Sequence, residues 1–164
     1  MKKLIVLLFM ILPLSVVAQE IKIAYVAVQE IFTSMPELST IEKQLTDLNE
    51  KYTQELKVMQ DEYQKKYSDY MSQQDSLTEN IKLRRMQEID DIRARMENFV
   101  PIAQQDMQKK QEELYKPVQE KIHNAIKAVG EEKGYTYIID PQVFLFTGNN
   151  AINATQFVRT KLGI

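Results

Sequence analysis

Cysteine and tryptophan are absent from this 164-residue chain, and histidine occurs once, at His123. Without cysteine there is no disulfide framework, no thiolate zinc site and no thiol nucleophile. A lone histidine cannot complete a zinc site, which needs several N, S or O ligands at suitable spacing. Glycine is scarce too, at 130, 134, 148 and 163 only, so no glycine-rich loop is available to cradle a phosphate. The acidic pairs Glu112-Glu113 and Glu131-Glu132 are sequence neighbours and diverge around a helix rather than facing one another. No nucleophile and base can be paired, and neither an enzyme nor a bound cofactor or metal is expected.

Long hydrophobic runs are also missing, with one short exception. Residues 4–14 are apolar apart from Pro13, follow Lys2 and Lys3, and lead into Val16-Val17-Ala18. This is the layout of a secretory signal peptide, with an apolar stretch of about 11 residues against the roughly 20 needed to span a bilayer. No cysteine follows it, which excludes a lipid-anchored lipoprotein. Residues 1–18 are read as a signal peptide cut after Ala18. Of 21 basic residues two, Lys2 and Lys3, lie in this leader, so the mature chain would carry 19 against 23 acidic ones. Such a mildly acidic chain is not suited to nucleic acid.

What remains is dominated by helix formers. Between Ser34 and Lys133 glycine occurs only at 130, and Gln, Glu, Lys, Met and Leu prevail. Ser34-Met35-Pro36-Glu37 fits a capping box. Apolar residues then recur at Leu38, Ile41, Leu45, Leu48, Tyr52, Leu56, Met59 and Tyr63, in steps of three and four that trace one face of a helix. The polar stretch at 72–77 reads as a turn. The pattern resumes from Leu77 to Val129 and ends at Gly130 or Gly134. Helices of roughly 37 and 50 residues would reach about 55 and 75 Å, far beyond an ordinary globular helix. Such a hairpin must project. Pro101 and Pro117 fall inside its second helix, where each removes a hydrogen bond and can bend or loosen it.

Flanking the hairpin are β-type segments: a strand over 21–28 with its connection to residue 33, another over 135–139, a turn at Asp140-Pro141, and a third strand over 143–147. Residues 134–164 are read as a β-hairpin followed by a short helix through Leu162, capped by Asn153. The fold class is α+β, a small β body carrying a long antiparallel coiled-coil hairpin. Three short strands are little core for a monomer and leave unpaired edges. Assembly through the β zone is therefore expected, with Ile21, Ile23, Tyr25 and Val26 from the first strand and Tyr137, Ile139, Val143 and Leu145 from the others at the subunit interface.

Every methionine outside the leader lies in the helical zone, and Tyr63, Tyr67 and Tyr70 are stacked at helical spacing near its tip. Methionine adapts to many partners, and tyrosine presents apolar area with a polar end. Tyr63, Tyr67, Tyr70, Met71, Met86, Met96 and Phe99 are the candidate contact residues for a variable partner. The competing reading is that they simply zip the two helices together.

The order of strand, long helical hairpin, strands and short helix behind a signal peptide resembles the Skp/OmpH family. The resemblance is carried by Lys22-Ile23-Ala24-Tyr25-Val26, the Ser34-Met35-Pro36-Glu37 helix start and Tyr135-Thr136-Tyr137-Ile138-Ile139-Asp140, and covers the mature chain. It implies a homotrimer whose strands join in an intersubunit barrel and whose hairpins enclose a cavity. It also implies an ATP-independent periplasmic holdase for unfolded outer-membrane proteins. The alternative is a structural coiled-coil spacer of the envelope, which would not need a β body. Well-known relatives are strongly basic. Here Lys65, Lys66, Lys82, Arg84 and Arg85 near the tip are interleaved with Asp61, Glu62, Asp69, Asp75 and Glu79, which does not favour contact with lipid or lipopolysaccharide. Asp75-Ser76-Leu77, also at the tip, resembles an O-glycosylation triplet of some Gram-negative lineages. The intact mass of the exported protein should correspond to a chain beginning at Gln19; a retained leader would overturn the assignment of 1–18.

Overall fold

The structure is a computed structural model that describes residues 21–164. The expected signal peptide lies outside the described residues. The chain opens with strand β1 (Ile23–Tyr25) and a six-residue helix α1 (Val28–Thr33). The hairpin follows, with α2 (Glu37–Gln73), a 3-10 turn at Gln74–Ser76 and α3 (Glu79–Lys133). Strand β2 (Tyr137–Ile139), a 3-10 turn at Pro141–Val143, strand β3 (Ile152–Asn153) and helix α4 (Thr155–Leu162) complete it. Cross-links from Glu37 to Lys121, Glu62 to Arg95 and Lys66 to Glu88 show α2 and α3 to be antiparallel along their length.

The expected turn at 72–77 is where the structure turns, and the second helix is longer than expected, at 55 residues. It runs unbroken through Pro101 and Pro117. Gly134, not Gly130, terminates it, at φ 63°, and the Tyr135 N–H donates to the Gly130 carbonyl at 3.0 Å. This is the left-handed closure that glycine adopts without a side-chain clash. Gly130 instead allows close approach, because a Cβ there would stand 3.4 Å from the Ile138 side chain.

The sheet differs from the expected arrangement. β1 is central, in the order β2-β1-β3, and both pairings are parallel. Ile23, Ala24 and Tyr25 pair with Tyr137, Ile138 and Ile139. Residues 134–164 therefore hold no β-hairpin; β2 and β3 flank β1 on opposite sides. The expected strand over 143–147 is not formed. Its β-branched and aromatic side chains suit a half-buried pleated surface, but within this chain both neighbours of β1 are already β2 and β3.

The first strand is also shorter than expected. The ladder ends where the Val26 N–H donates to the Ile139 carbonyl at 3.0 Å. The Ala27 N–H then turns to Thr155 Oγ1 at 3.0 Å, and the Ala27 carbonyl starts α1. Val28, expected in the strand, is helical. The expected capping box is not made either. Ser34 Oγ donates to the Glu30 carbonyl at 2.8 Å and closes α1, while Pro36 occupies the cap of α2 with no side-chain bond. Asn153 does serve α4, its Oδ1 accepting from the Thr155 N–H at 3.0 Å.

One apolar core sits at the base of the hairpin. Ala24 from β1 and Val26 just after it, Ile31 from α1, Ile41 from α2, Val118, Ile122 and Val129 from α3, and Val158 from α4 are buried together. Farther out only Ile89 and Ile92 are buried. Ile122→Ala should cost about 3 kcal/mol of stability, within the usual range for emptying a packed aliphatic site. Leu83→Ala, at a position 69% exposed, should cost under about 0.5 kcal/mol. Urea unfolding followed by helicity checks both; equal effects would contradict a core confined to the base.

Candidate functional site

Two regions expose apolar side chains. The first is the body. Alternation along β1 and into the residue after it turns Ala24 and Val26 inward and leaves Ile23 exposed and Tyr25 half-buried. Across the ladder Tyr137 is exposed and Ile139 half-buried, while Ile21 precedes the strand in the open. Val143 is exposed, Leu145 wholly so, and Phe146 is 85% exposed. The structure thus gathers seven of the expected interface residues on or beside the outer surface of the body. It turns the eighth, Val26, into the chain's own core, at 0% exposure. Phe144, Phe146 and Ile152 belong to the same exposed surface. Phe144 and Phe146 were legible as part of the aromatic run at 143–147.

The second region is the hairpin. Tyr67, Met71 and Met86 are exposed, whereas Tyr63, Tyr70, Met96 and Phe99 are half-buried along the seam. Tyr63 stacks on Tyr67 at 6.0 Å, and Phe99 meets Tyr52 edge-on at 5.9 Å. The Lys66–Glu88 bridge, at 2.9 Å, places Tyr67 and Met86 at the same height. The candidate contact residues therefore divide into three that are exposed and four that are half-buried, of which Phe99 packs across the seam on Tyr52. Sequence reasoning did not single out Val58, Leu83, Val100 and Ile102, all exposed along the shaft. They fall off the seam period, which was the available signal. Ser76 of the tip triplet is exposed, its Oγ donating to the Gln73 carbonyl at 2.7 Å.

Charges reinforce the hairpin. Glu37 is held below the ordinary 4.5 by its hydrogen bond from Lys121 and by a backbone N–H; Glu88 is lowered by its hydrogen bond from Lys66. Glu132 is lowered by its hydrogen bond from Lys161, which ties α4 to α3. Tyr52 donates to Asp106 across the seam, and that bond raises its pKa above 10.0. Lys82 is raised by its hydrogen bond to Glu79. Among the described residues no group of three or more His, Asp or Glu could hold a metal ion, and no helix is long and apolar enough to cross a membrane.

Three glutamates with depressed folded values stabilise the structure fully above their unfolded value of 4.5, and this contribution is lost as pH falls below it through the folded values. Thermal melts should thus weaken between pH 5 and strongly acid solution. The combined Glu37→Gln, Glu88→Gln and Glu132→Gln variant should show a flatter pH dependence; an unchanged profile would mean that these bridges add nothing.

The comparisons with known proteins agree with this architecture. The chain is 31% identical over 131 residues to the chaperone protein Skp of Pectobacterium atrosepticum, covering 78% of each chain. It shares its fold with an OmpH-like outer membrane chaperone of Caulobacter crescentus, with a TM-score of 0.75 at 10% identity, covering 87% of this chain and 83% of that one. Residues 22–162 match the family described as outer membrane protein (OmpH-like), and the chain belongs to that family.

Proposed function

We propose that this chain is an ATP-independent holdase that keeps unfolded outer-membrane proteins soluble in the periplasm. It would work as a homotrimer, the three sheets joining in a barrel and the three hairpins enclosing a cavity. The observation that carries the reading is a long hairpin exposing Tyr67, Met71 and Met86 on a body exposing Ile23, Tyr137, Leu145 and Phe146. Buried apolar surface drives both association and reversible holding, and a monomer seldom leaves so much of it uncovered. The Skp relative, a chaperone by name, supports the activity, and the leader expected at 1–18 supports the location. The spacer alternative fits the hairpin but gives the sheet body no task.

One set of measurements tests assembly and holding together. Sedimentation equilibrium at micromolar concentration should give a trimer, and the protein should suppress aggregation of an unfolded barrel protein near stoichiometry without ATP. Ile23→Asp or Leu145→Asp should dissociate or unfold the assembly, since an unpaired charge is costly to bury. Replacing Tyr63, Tyr67, Tyr70, Met71 and Met86 with serine should weaken holding while the trimer survives. Each truncation removes about 1 to 2 kcal/mol of available apolar burial. A folded monomer would sink the cavity; full holding by the serine variant would move the client elsewhere.

A further inference from the structure

Two triplets in this chain have the form of a glycosylation site, and the fold treats them in opposite ways. Asn153-Ala154-Thr155 fits the Asn-x-Thr pattern, but its side chains are committed to the body. Asn153 Oδ1 accepts from the Thr155 N–H at 3.0 Å, and Thr155 Oγ1 accepts from the Ala27 N–H at 3.0 Å. Ala154 and Thr155 are 0% and 6% exposed. An enzyme could not reach that hydroxyl without opening the core. The second triplet, Asp75-Ser76-Leu77, lies at the far end of the arms and is open.

Between Glu37 and Lys133 the backbone is α-helical except at 74–78. Ser76 ends the 3-10 turn there, and the next two residues are extended, Leu77 at φ −85°, ψ 147° and Thr78 at φ −71°, ψ 155°. Asp75, Ser76 and Thr78 are exposed and Leu77 is half-buried. Other hydroxyls of the arms, such as Ser39, Thr53 and Ser72, stand on helical backbone and donate to the carbonyl three or four residues earlier. An enzyme that reads a short peptide takes it extended, bonding its main chain and seating its side chains in separate pockets. A helix offers no such purchase, because its N–H and C=O groups are paired with each other. Ser76 and Thr78 are the hydroxyls of the arms that lie outside the helices. Of these Ser76 alone follows an aspartate, and Asp-Ser or Asp-Thr occurs once in the whole chain.

We propose that Ser76 is an O-glycosylation site, read by a transferase through Asp75 and the extended residues that follow. The proposal rests on export of the chain and is independent of the holdase reading. The sugar donor is of the class held on a lipid through a diphosphate, which serves outside the cytoplasm, where nucleotide-linked sugars are not supplied. Ser76 Oγ attacks the anomeric carbon of the sugar and forms the new C–O bond. The bond from that carbon to the diphosphate oxygen breaks, the lipid diphosphate leaves with the electron pair, and the hydroxyl proton passes to a base of the transferase. The fold tolerates the product. Ser76 Oγ makes one bond, donated to the Gln73 carbonyl at 2.7 Å, and water can replace it at this exposed turn. A bulky hydrated group is suited to such a surface, and here it would project from the apex, beyond the seam.

The test follows mass. The full chain, leader included, is produced in the cells that encode it, and the exported protein is purified. Its intact mass should exceed that of the chain beginning at Gln19 by a whole number of sugar residues. Fragmentation of the tryptic peptide Tyr67–Lys82 should place the increment on Ser76 rather than on Ser68, Ser72 or Thr78. Ser76→Ala and Asp75→Asn should each return the mass to the bare chain beginning at Gln19, while Ser76→Thr keeps the increment. All three should match the parent in helicity, since both positions are exposed. The parent chain made without its leader should stay in the cytoplasm and carry no sugar. The proposal is overturned by a bare parent beginning at Gln19, by an increment that survives Ser76→Ala, or by one that maps to another hydroxyl. An increment that survives Asp75→Asn overturns the triplet as the signal, and sugar on the leaderless chain overturns transfer after export. A bare parent that still carries its leader overturns the export on which the proposal rests.

Discussion

The structure depends on burial of a single apolar patch at the base of the hairpin. β1 and all four helices send side chains into it: Ala24, Ile31, Ile41, Ile122, Val129 and Val158 meet there, with Val26 from the residue after β1. A hairpin whose helices run to 37 and 55 residues has a narrow seam and a large wet surface, so it cannot supply an equivalent core of its own. The core fixes where α2 leaves the body and where α3 returns, and everything beyond it is an arm whose direction is set at the root. The Thr155 hydroxyl illustrates the economy of this base. It is the buried polar side chain of the region, and it satisfies the Ala27 N–H at the point where strand gives way to helix.

This division of the molecule matches the division of labour proposed for it. A body with a packed inner face and an apolar outer face can associate without disturbing the arms. Arms held together by Leu, Ile, Tyr and Met contacts, and by bridges that remain in water, can separate locally at low cost. Adaptable contact surfaces are drawn from such low-stability regions, and the residues best placed for them, Tyr67, Met71 and Met86, lie where burial is least.

Much of the architecture was legible in the sequence because helix signals are local. The three-and-four spacing from Leu38 onward, the polar break at 72–77 and the glycine at 134 depend on neighbours a few residues away, and each corresponds to a feature of the fold. The sheet was less legible because pairing is not local. Ile23 and Tyr137 carry no mark that says parallel, and the aromatic run at 143–147 has every strand preference without a place beside β1. Ser34 shows a different failure: its hydroxyl could serve either the helix behind it or the one ahead, and the chain uses it for the former. The candidate contact residues were found by type, but their split between seam and solvent depends on rotation about each helix axis. The rotation of about 40° between positions four apart, which leaves Tyr63 half-buried and Tyr67 exposed, matters only once the partner helix is in place.

The parallel ladder has one more consequence, in the order in which the chain arrives. Lys22 and Thr136, hydrogen-bonded at the foot of the ladder, are separated by 114 positions. Because the chain is extended from its N-terminus, β1 precedes its partner by most of the chain's length. During that interval the first strand is a free edge, open to pairing with any other extended chain. Its brevity, three residues ending in a helix at Val28, limits how much of a template it can offer. The hairpin, whose contacts are nearer in sequence toward the tip, can zip shut from Gln74 downward as α3 lengthens. The body is then the last part to close, and the core at its base is completed only when α4, at the far end of the chain, has arrived.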